Sequence, residues 1–155
     1  MPDLTSDPVM QVLRPLVEAY WAFWRVDSAH IRSLRLTPAQ YDVVVTLGDT
    51  DGMTCSQLSK ATLLTKGTMT GLLDRLAAKH LIERAGVEGD RRQILIRLTK
   101  AGDELFRKVF PKHTAFLKPF FERAISASEA KQMKQTLERL RDSFQEAIPG
   151  FESAL

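Results

Sequence analysis

Residues 54–98 read TCSQLSKATLLTKGTMTGLLDRLAAKHLIERAGVEGDRRQILIRL, and the fold turns on how this stretch is parsed. Thr54-Cys55-Ser56-Gln57 is a capping box, a hydroxyl followed three residues later by a side-chain amide, and it opens a short helix ending near Ala61. Thr62-Leu63-Leu64 leaves room only for a tight connection. Thr65 then caps a second helix running to about His80, with Met69, Leu72, Leu73, Leu76 and Ala77 on one apolar face. Two helices of these lengths joined by so short a turn make a helix-turn-helix. Leu81-Ile82-Glu83-Arg84 and Gln93-Ile94-Leu95-Ile96-Arg97-Leu98 are strand-like, and Ala85 to Arg92 between them is a charged tip containing two glycines. The expected unit is therefore a helix-turn-helix followed by a β-hairpin wing.

Upstream, Val9, Leu13, Leu16, Val17, Tyr20, Trp21 and Trp24 keep helical spacing over residues 8–33. Thr37-Pro38-Ala39-Gln40 combines an N-cap, a proline at the first helical position and a capping glutamine, and starts a helix that stops near Gly48. Downstream, Thr99 caps a long helix whose apolar phase runs from Leu105 to Phe121 through Pro111 and Pro119, where kinks are expected. Ser126-Ala127-Ser128-Glu129 caps a last helix. Its Ala130, Met133, Leu137, Leu140, Phe144 and Ala147 step by three and four, the seam of a helix that packs on another, and Pro149-Gly150 is expected to end it. The fold class is mainly α, six helices with a small β-hairpin wing. Residues 36–98 form the winged helix-turn-helix, and residues 1–35 and 99–155 a helical dimerisation region.

Composition narrows the function. The chain has 155 residues and a formal net charge of only +3, but residues 60–112 carry twelve Lys or Arg against six Asp or Glu. Positive charge gathered in one segment recruits a polyanion; the alternative is a solvated surface with a chance asymmetry. No apolar run reaches the roughly 18–20 residues that span a bilayer, and the first ten residues do not read as a signal peptide. A cytoplasmic protein is expected, without membrane contact, and the single Cys55 agrees with that compartment. His30, His80 and His113 are scattered, and no HExxH, CxxC, GxSxG or phosphate-binding loop is present. The chain reads as no enzyme, with no cofactor and no metal site.

If the Met69–Leu73–Leu76 stripe is buried, Lys66, Gly67, Thr70 and Asp74 face outward, with Thr68 beside them. The N-terminal part of the second helix is what enters a major groove, where hydroxyls and a lysine reach phosphates and base edges. Gly67 and Gly71 each cost about 1 kcal/mol against alanine in a helix. Either they let the backbone approach DNA closely, or they are tolerated on a solvated face. Arg91 and Arg92 follow Asp90 at the hairpin tip, where paired arginines can enter a minor groove and Asp90 can orient one of them. Alone, such a tripeptide is as well read as a charged turn.

Gly89-Asp90-Arg91-Arg92-Gln93-Ile94-Leu95-Ile96-Arg97-Leu98-Thr99-Lys100-Ala101-Gly102 closely resembles the wing signature of the MarR family of bacterial transcriptional regulators, Asp-x-Arg, a strand, then Leu-Thr-x-x-Gly. The run from Thr65 to Leu76 looks like that family's recognition helix, which brings Arg75 into the candidate set, and residues 36–42 resemble its second helix start. The resemblance implies a homodimer in which the first, fifth and sixth helices intertwine, bound to a pseudo-palindromic double-stranded operator. It makes Arg92 the arginine of the Asp-x-Arg pattern and Arg91 an added contact. Gly67 and Gly71 stand where other members often carry serine and arginine, so the base contacts differ. Relatives often release DNA on binding an aromatic acid or phenol. Here Trp21, Trp24, Arg25, His30, Arg32 and Asp42 are the candidate effector residues, although the tryptophans serve equally well as dimer packing. Peroxide-sensing members carry their cysteine on the first helix, whereas Cys55 begins the third. The competing reading is a winged-helix dimer used for protein–protein contact, in which Arg91 and Arg92 are dispensable.

Overall fold

Reciprocal hydrogen bonds set where the helices begin. Thr37 Oγ1 accepts from the Gln40 amide at 3.2 Å while the Gln40 side chain accepts from the Thr37 amide at 3.1 Å, and Pro38 opens α2 (Pro38–Leu47). Thr54 and Gln57 repeat the exchange ahead of α3 (Cys55–Thr62). Ser126 and Glu129 do so ahead of α6 (Ala127–Glu152), and donation from Ser126 holds the Glu129 carboxyl below the usual carboxylate range. The first helix, α1 (Leu13–Ser33), starts later than expected, because a 3-10 turn at Met10–Val12 precedes it and Asp7 accepts from the Val9 amide at 2.8 Å. The computed structural model describes residues 6–62, 64, 66–87 and 90–152.

Between α3 and the wing lies α4 (Lys66–Ala78). The wing is β2 (Ile82–Val87) and β3 (Asp90–Leu98), and α5 (Lys100–Ala124) follows it. A two-residue strand, β1 (Met53–Thr54), pairs with β3 through Met53↔Ile96 and Thr54↔Leu95, giving an antiparallel sheet of order β1-β3-β2. Two residues are too few to show a periodicity, so the sequence pattern offered only a hairpin. That hairpin is also longer than expected. Its register runs from Ile82↔Leu98 to Val87↔Asp90 with a shift between Gly86 and Val87, so Ala85, Gly86, Val87 and Asp90 of the expected tip are paired. Buried Ile82 and Ile96 anchor the register, and each further rung then satisfies backbone groups that would otherwise need water.

Two compact units are present, Met1–Thr114 and Ala115–Leu155. In the first, Val43, Val44 and Leu47 of α2, Leu58 of α3, the α4 stripe of Met69, Leu72, Leu73 and Leu76, the wing residues Ile82 and Ile96, and Phe106 of α5 form one core. A smaller cluster joins Ile31, Leu36 and Val109. Helix α5 continues through Pro111 and Pro119 as the apolar phase implied. Helix α6 also continues through Pro149 and Gly150 to Glu152, against expectation. Proline removes one hydrogen-bond rung but has a helical φ, so it weakens a helix end without forbidding it.

The junction between wing and α5 explains the Leu-Thr-x-x-Gly pattern. His80 closes α4 in the left-handed region at φ 56°, and Thr99 Oγ1 donates to its carbonyl at 2.6 Å. Thr99 N donates to the Leu81 carbonyl at 3.1 Å, and Thr99 Oγ1 accepts from the Gly102 amide at 3.1 Å. The backbone of Gly102 lies so close to Leu81 that an added Cβ would collide with its carbonyl oxygen. Gly102→Ala is therefore expected to lower unfolding stability by about 2–4 kcal/mol, a cost measurable by urea denaturation. A loss below about 0.5 kcal/mol would mean that the junction relaxes freely.

Candidate nucleic-acid interface

Helix α4 is held by its apolar stripe, with Met69 and Leu76 at 0% exposure. The opposite face is open. Gly67, Thr68, Thr70, Asp74 and Arg75 are exposed there, an added Cβ on Gly67 would meet no atom within 4 Å, and one on Gly71 only Arg75 Nη1 at 3.6 Å. Thr65 lies outside the described residues, as do the side chains of Lys66, Asp90, Arg91 and Arg92; the backbone puts Lys66 at the first position of α4. Asp90, Arg91 and Arg92 are the first three positions of β3, which corrects their assignment to an irregular tip. Pairing depends on the partner strand, and charged residues next to a turn give little local sign of it.

One contact across this surface was not anticipated. Asp74 Oδ1 on α4 accepts from Arg84 Nη2 on β2 at 2.6 Å, so the helix and the wing are joined by an ion pair. Arg97 and Glu83 pair across the ladder at 2.6 Å. Asp74 was legible as an outward-facing residue, but its partner is set by where the hairpin leaves the helix.

A second polar constellation lies away from that face. Asp27 and His113 are buried, at 8% and 4% exposure, where α1, α2 and α5 meet. His113 Nε2 is 2.9 Å from Asp27 Oδ1, His113 Nδ1 is 2.7 Å from His30 Nδ1, and the Tyr41 ring meets His113 edge-on at 4.8 Å. In the neutral His113 tautomer that donates Nε2–H to the carboxylate, Nδ1 is an acceptor and His30 Nδ1 its donor. Burial, then the charge of Asp27, pushes the Asp42 carboxyl up to about 6. Burial, then Asp27 and Asp42, pushes Tyr41 up to about 12. The His30 imidazole is lowered by burial and by His113 and Lys112, with Asp27 opposing.

The two histidines that looked scattered thus meet, because α1 and α5 cross; the only sequence trace was the one-turn spacing of Asp27 and His30. Of the candidate effector residues, His30 and Asp42 border this cluster. Trp21 and Trp24 are exposed on α1 with Tyr20 against both, at ring-centroid distances of 5.7 and 6.5 Å. Arg25 is exposed, and Arg32 donates to Ser28 at 3.4 Å. Cys55 is exposed at the start of α3. Among the described residues no group of three or more His, Cys, Asp or Glu is arranged to hold a metal ion, and no helix is long and apolar enough to cross a membrane.

A helix-turn-helix on a shared core with a β-ribbon beside it is the architecture of a winged-helix DNA-binding regulator. The sequence profile of the MarR family matches residues 36–93. The chain is 30% identical over 128 residues to the HTH-type transcriptional regulator PecS of Dickeya dadantii, covering 78% of this chain and 76% of that protein. It superimposes on Streptococcus pneumoniae FabT in complex with DNA with a TM-score of 0.72 at 25% identity, over 89% of this chain and 98% of FabT. It superimposes equally, TM-score 0.72 at 25% identity, on Bordetella bronchiseptica BpsR, whose DNA binding is regulated by 6-hydroxynicotinic acid, over 84% of this chain and 98% of BpsR. The chain belongs to the MarR family: it is a winged helix-turn-helix transcriptional regulator and not an enzyme.

The shifted groups make stability depend on pH. The Asp42 carboxyl binds its proton more tightly when folded, so its penalty is complete above about pH 6 and is relieved as pH falls towards 4. His30 acts in the opposite sense: its lowered value costs stability as pH falls below 6.5. Asp42→Asn is expected to stabilise the protein at pH 7.5 by about 1 kcal/mol, allowing for solvent screening of a half-buried group, and to remove its part of the slope between pH 4 and 6. Urea unfolding across pH 4–8 checks this, and an Asn variant no more stable at pH 7.5 would show the carboxylate to be satisfied where it stands.

Proposed function

We propose that this regulator is a dimeric repressor that binds a pseudo-palindromic operator, with α4 in the major groove and the wing arginines in the minor groove. The observation that carries the reading is the open face of α4. Its Gly67, Thr68 and Thr70 stand at the N-terminal end of a helix whose other face is locked in the core. Thr65, Lys66 and Arg75 complete the helix contacts, and Asp90, Arg91 and Arg92 those of the wing. Hydroxyls and backbone amides at a helix start hold phosphates, and bases are read by the side chains beyond them.

The dimer rests on apolar surface that a lone chain leaves in water. Helix α1 exposes Leu13, Val17, Tyr20, Trp21 and Trp24. Helix α6 exposes Met133, Leu137 and Phe144 along its seam, and an apolar groove of about 530 Å³ runs beside Phe121, Met133 and Leu137. Residues 1–35 and 99–155 are the proposed dimerisation region. An aromatic acid or phenol, the ligand class to which the BpsR effector belongs, is the proposed release signal, with Trp21, Trp24, Arg25, His30, Arg32 and Asp42 as its contacts.

Selection from random duplexes, followed by fluorescence anisotropy at two salt concentrations, is the direct test. The wild type is expected to enrich an inverted repeat, and Arg91→Ala/Arg92→Ala to bind it at least tenfold more weakly with a shallower salt slope. No enriched sequence, with both proteins binding equally poorly, would favour a protein-contact module instead. Leu137→Glu is expected to give a monomer in sedimentation velocity and to lose operator binding with it. Gly67→Ala separates stability from recognition: it is expected to raise unfolding stability by about 0.5–1 kcal/mol while weakening operator binding, because the new methyl meets DNA rather than protein.

A further inference from the structure

The Asp74–Arg84 pair has a place in the fold that its exposure alone does not explain. Asp74 is one helical turn beyond Thr70 and two beyond Gly67, on the face of α4 opposite the buried stripe. On the proposed reading that face is turned to DNA, where an uncompensated carboxylate opposes every phosphate near it. Arg84 closes on it at 2.6 Å from β2, and among the described residues neither group has another ion-pair partner.

The hairpin is otherwise held at its base and along its β3 edge, where β1 pairs with Leu95 and Ile96 and the Ile96 side chain lies in the core. Thr99 fixes the carbonyls of His80 and Leu81, at the level of the first rung, Ile82↔Leu98. In the order β1-β3-β2, β2 is the sheet's other edge, with no strand beyond it among the described residues. Arg84 lies two rungs beyond Ile82, opposite Ile96, and its pair with Asp74 ties this β2 edge to α4. A ribbon tied along both edges is fixed in its angle to α4, where one tied along the β3 edge alone is fixed only to the sheet.

We infer that Asp74 and Arg84 act together as a positioning strut that holds the wing at one angle to α4, and so set operator specificity rather than general DNA affinity. The inference rests on the proposed DNA-binding reading. Nonspecific duplex is held by phosphates along either element separately. A cognate site rewards both elements only when their spacing matches that between the grooves. Breaking the strut lets each element bind independently and removes that joint reward. An exposed pair of this kind contributes little to folding, so its variants remain folded.

The pair makes the test selective, because simple electrostatics predicts a different result. Asp74→Asn removes a negative charge from the DNA face, which alone strengthens binding to every duplex equally. The measurement is anisotropy on the selected operator and on a scrambled duplex of the same composition, with wild type, Asp74→Asn, Arg84→Gln and the double variant, after thermal unfolding shows all four folded. The strut requires that Asp74→Asn bind scrambled duplex at least as tightly as wild type while its operator-to-scrambled ratio falls about three- to fivefold. The double variant must lose no more of that ratio than either single one, the signature of a shared interaction. A ratio unchanged in Asp74→Asn, or losses that add in the double variant, would overturn the strut and leave two independent surface charges. If wild type itself prefers neither duplex, the DNA-binding reading fails and the strut goes with it, an outcome read from the wild-type arm alone.

Discussion

The burial of one helical stripe governs what this molecule can present to a partner. Met69, Leu72, Leu73 and Leu76 of α4 are held between Val43, Val44 and Leu47 of α2 and Leu58 of α3. Each such side chain contributes about 1.5–3 kcal/mol on burial. Turning α4 by a single residue, about 100°, would expose part of that stripe and bury threonine hydroxyls or an arginine, at a cost per group comparable to the gain it forfeits. The face that bears Gly67, Thr70 and Asp74 is therefore defined by what lies beneath it. Its shape does not depend on any partner being present.

The wing depends on the same core by another route. Ile82 and Ile96 enter the shared cluster from β2 and β3, so the ribbon is seated by its inward side chains before its outer half adds any stability. Thr99 and Gly102 then turn the chain into α5 by hydrogen bonds and by a backbone approach that only glycine permits. The result is a pair of elements, α4 and the hairpin, projecting from one packed body.

The Asp27–His113–His30 contact shows a different use of the interior. Burying the Asp27 carboxylate and the His113 imidazole, with His30 only partly covered, costs desolvation that an aliphatic core would avoid, and it is offset because both ring nitrogens of His113 have partners. Their neighbours Asp42 and Tyr41 are correspondingly held back from ionising. The junction of α1, α2 and α5 is thus a place where packing and protonation are linked.

Residues 54–98 determined by themselves that a helix, a tight turn, a second helix and a ribbon follow one another, because capping boxes and apolar periodicity act over three or four residues and can be read locally. The three capping boxes and the α4 stripe belong to that local class; the Leu-Thr-x-x-Gly pattern was legible as part of a family signature, but its contacts reach His80 and Leu81, distant in sequence. Tertiary structure alone decided the rest. The strand at Met53 and Thr54 exists only because Ile96 and Leu95 lie beside it, and the wing reaches Val87 and Asp90 across a register shift that only the paired strand reveals. Arg84 meets Asp74, and His113 meets Asp27 across 86 residues of sequence, through the placement of whole elements. Hydrogen-bonding and charged groups carry no periodic mark of their distant partners, so these contacts could be found only once the core had fixed where each element lies.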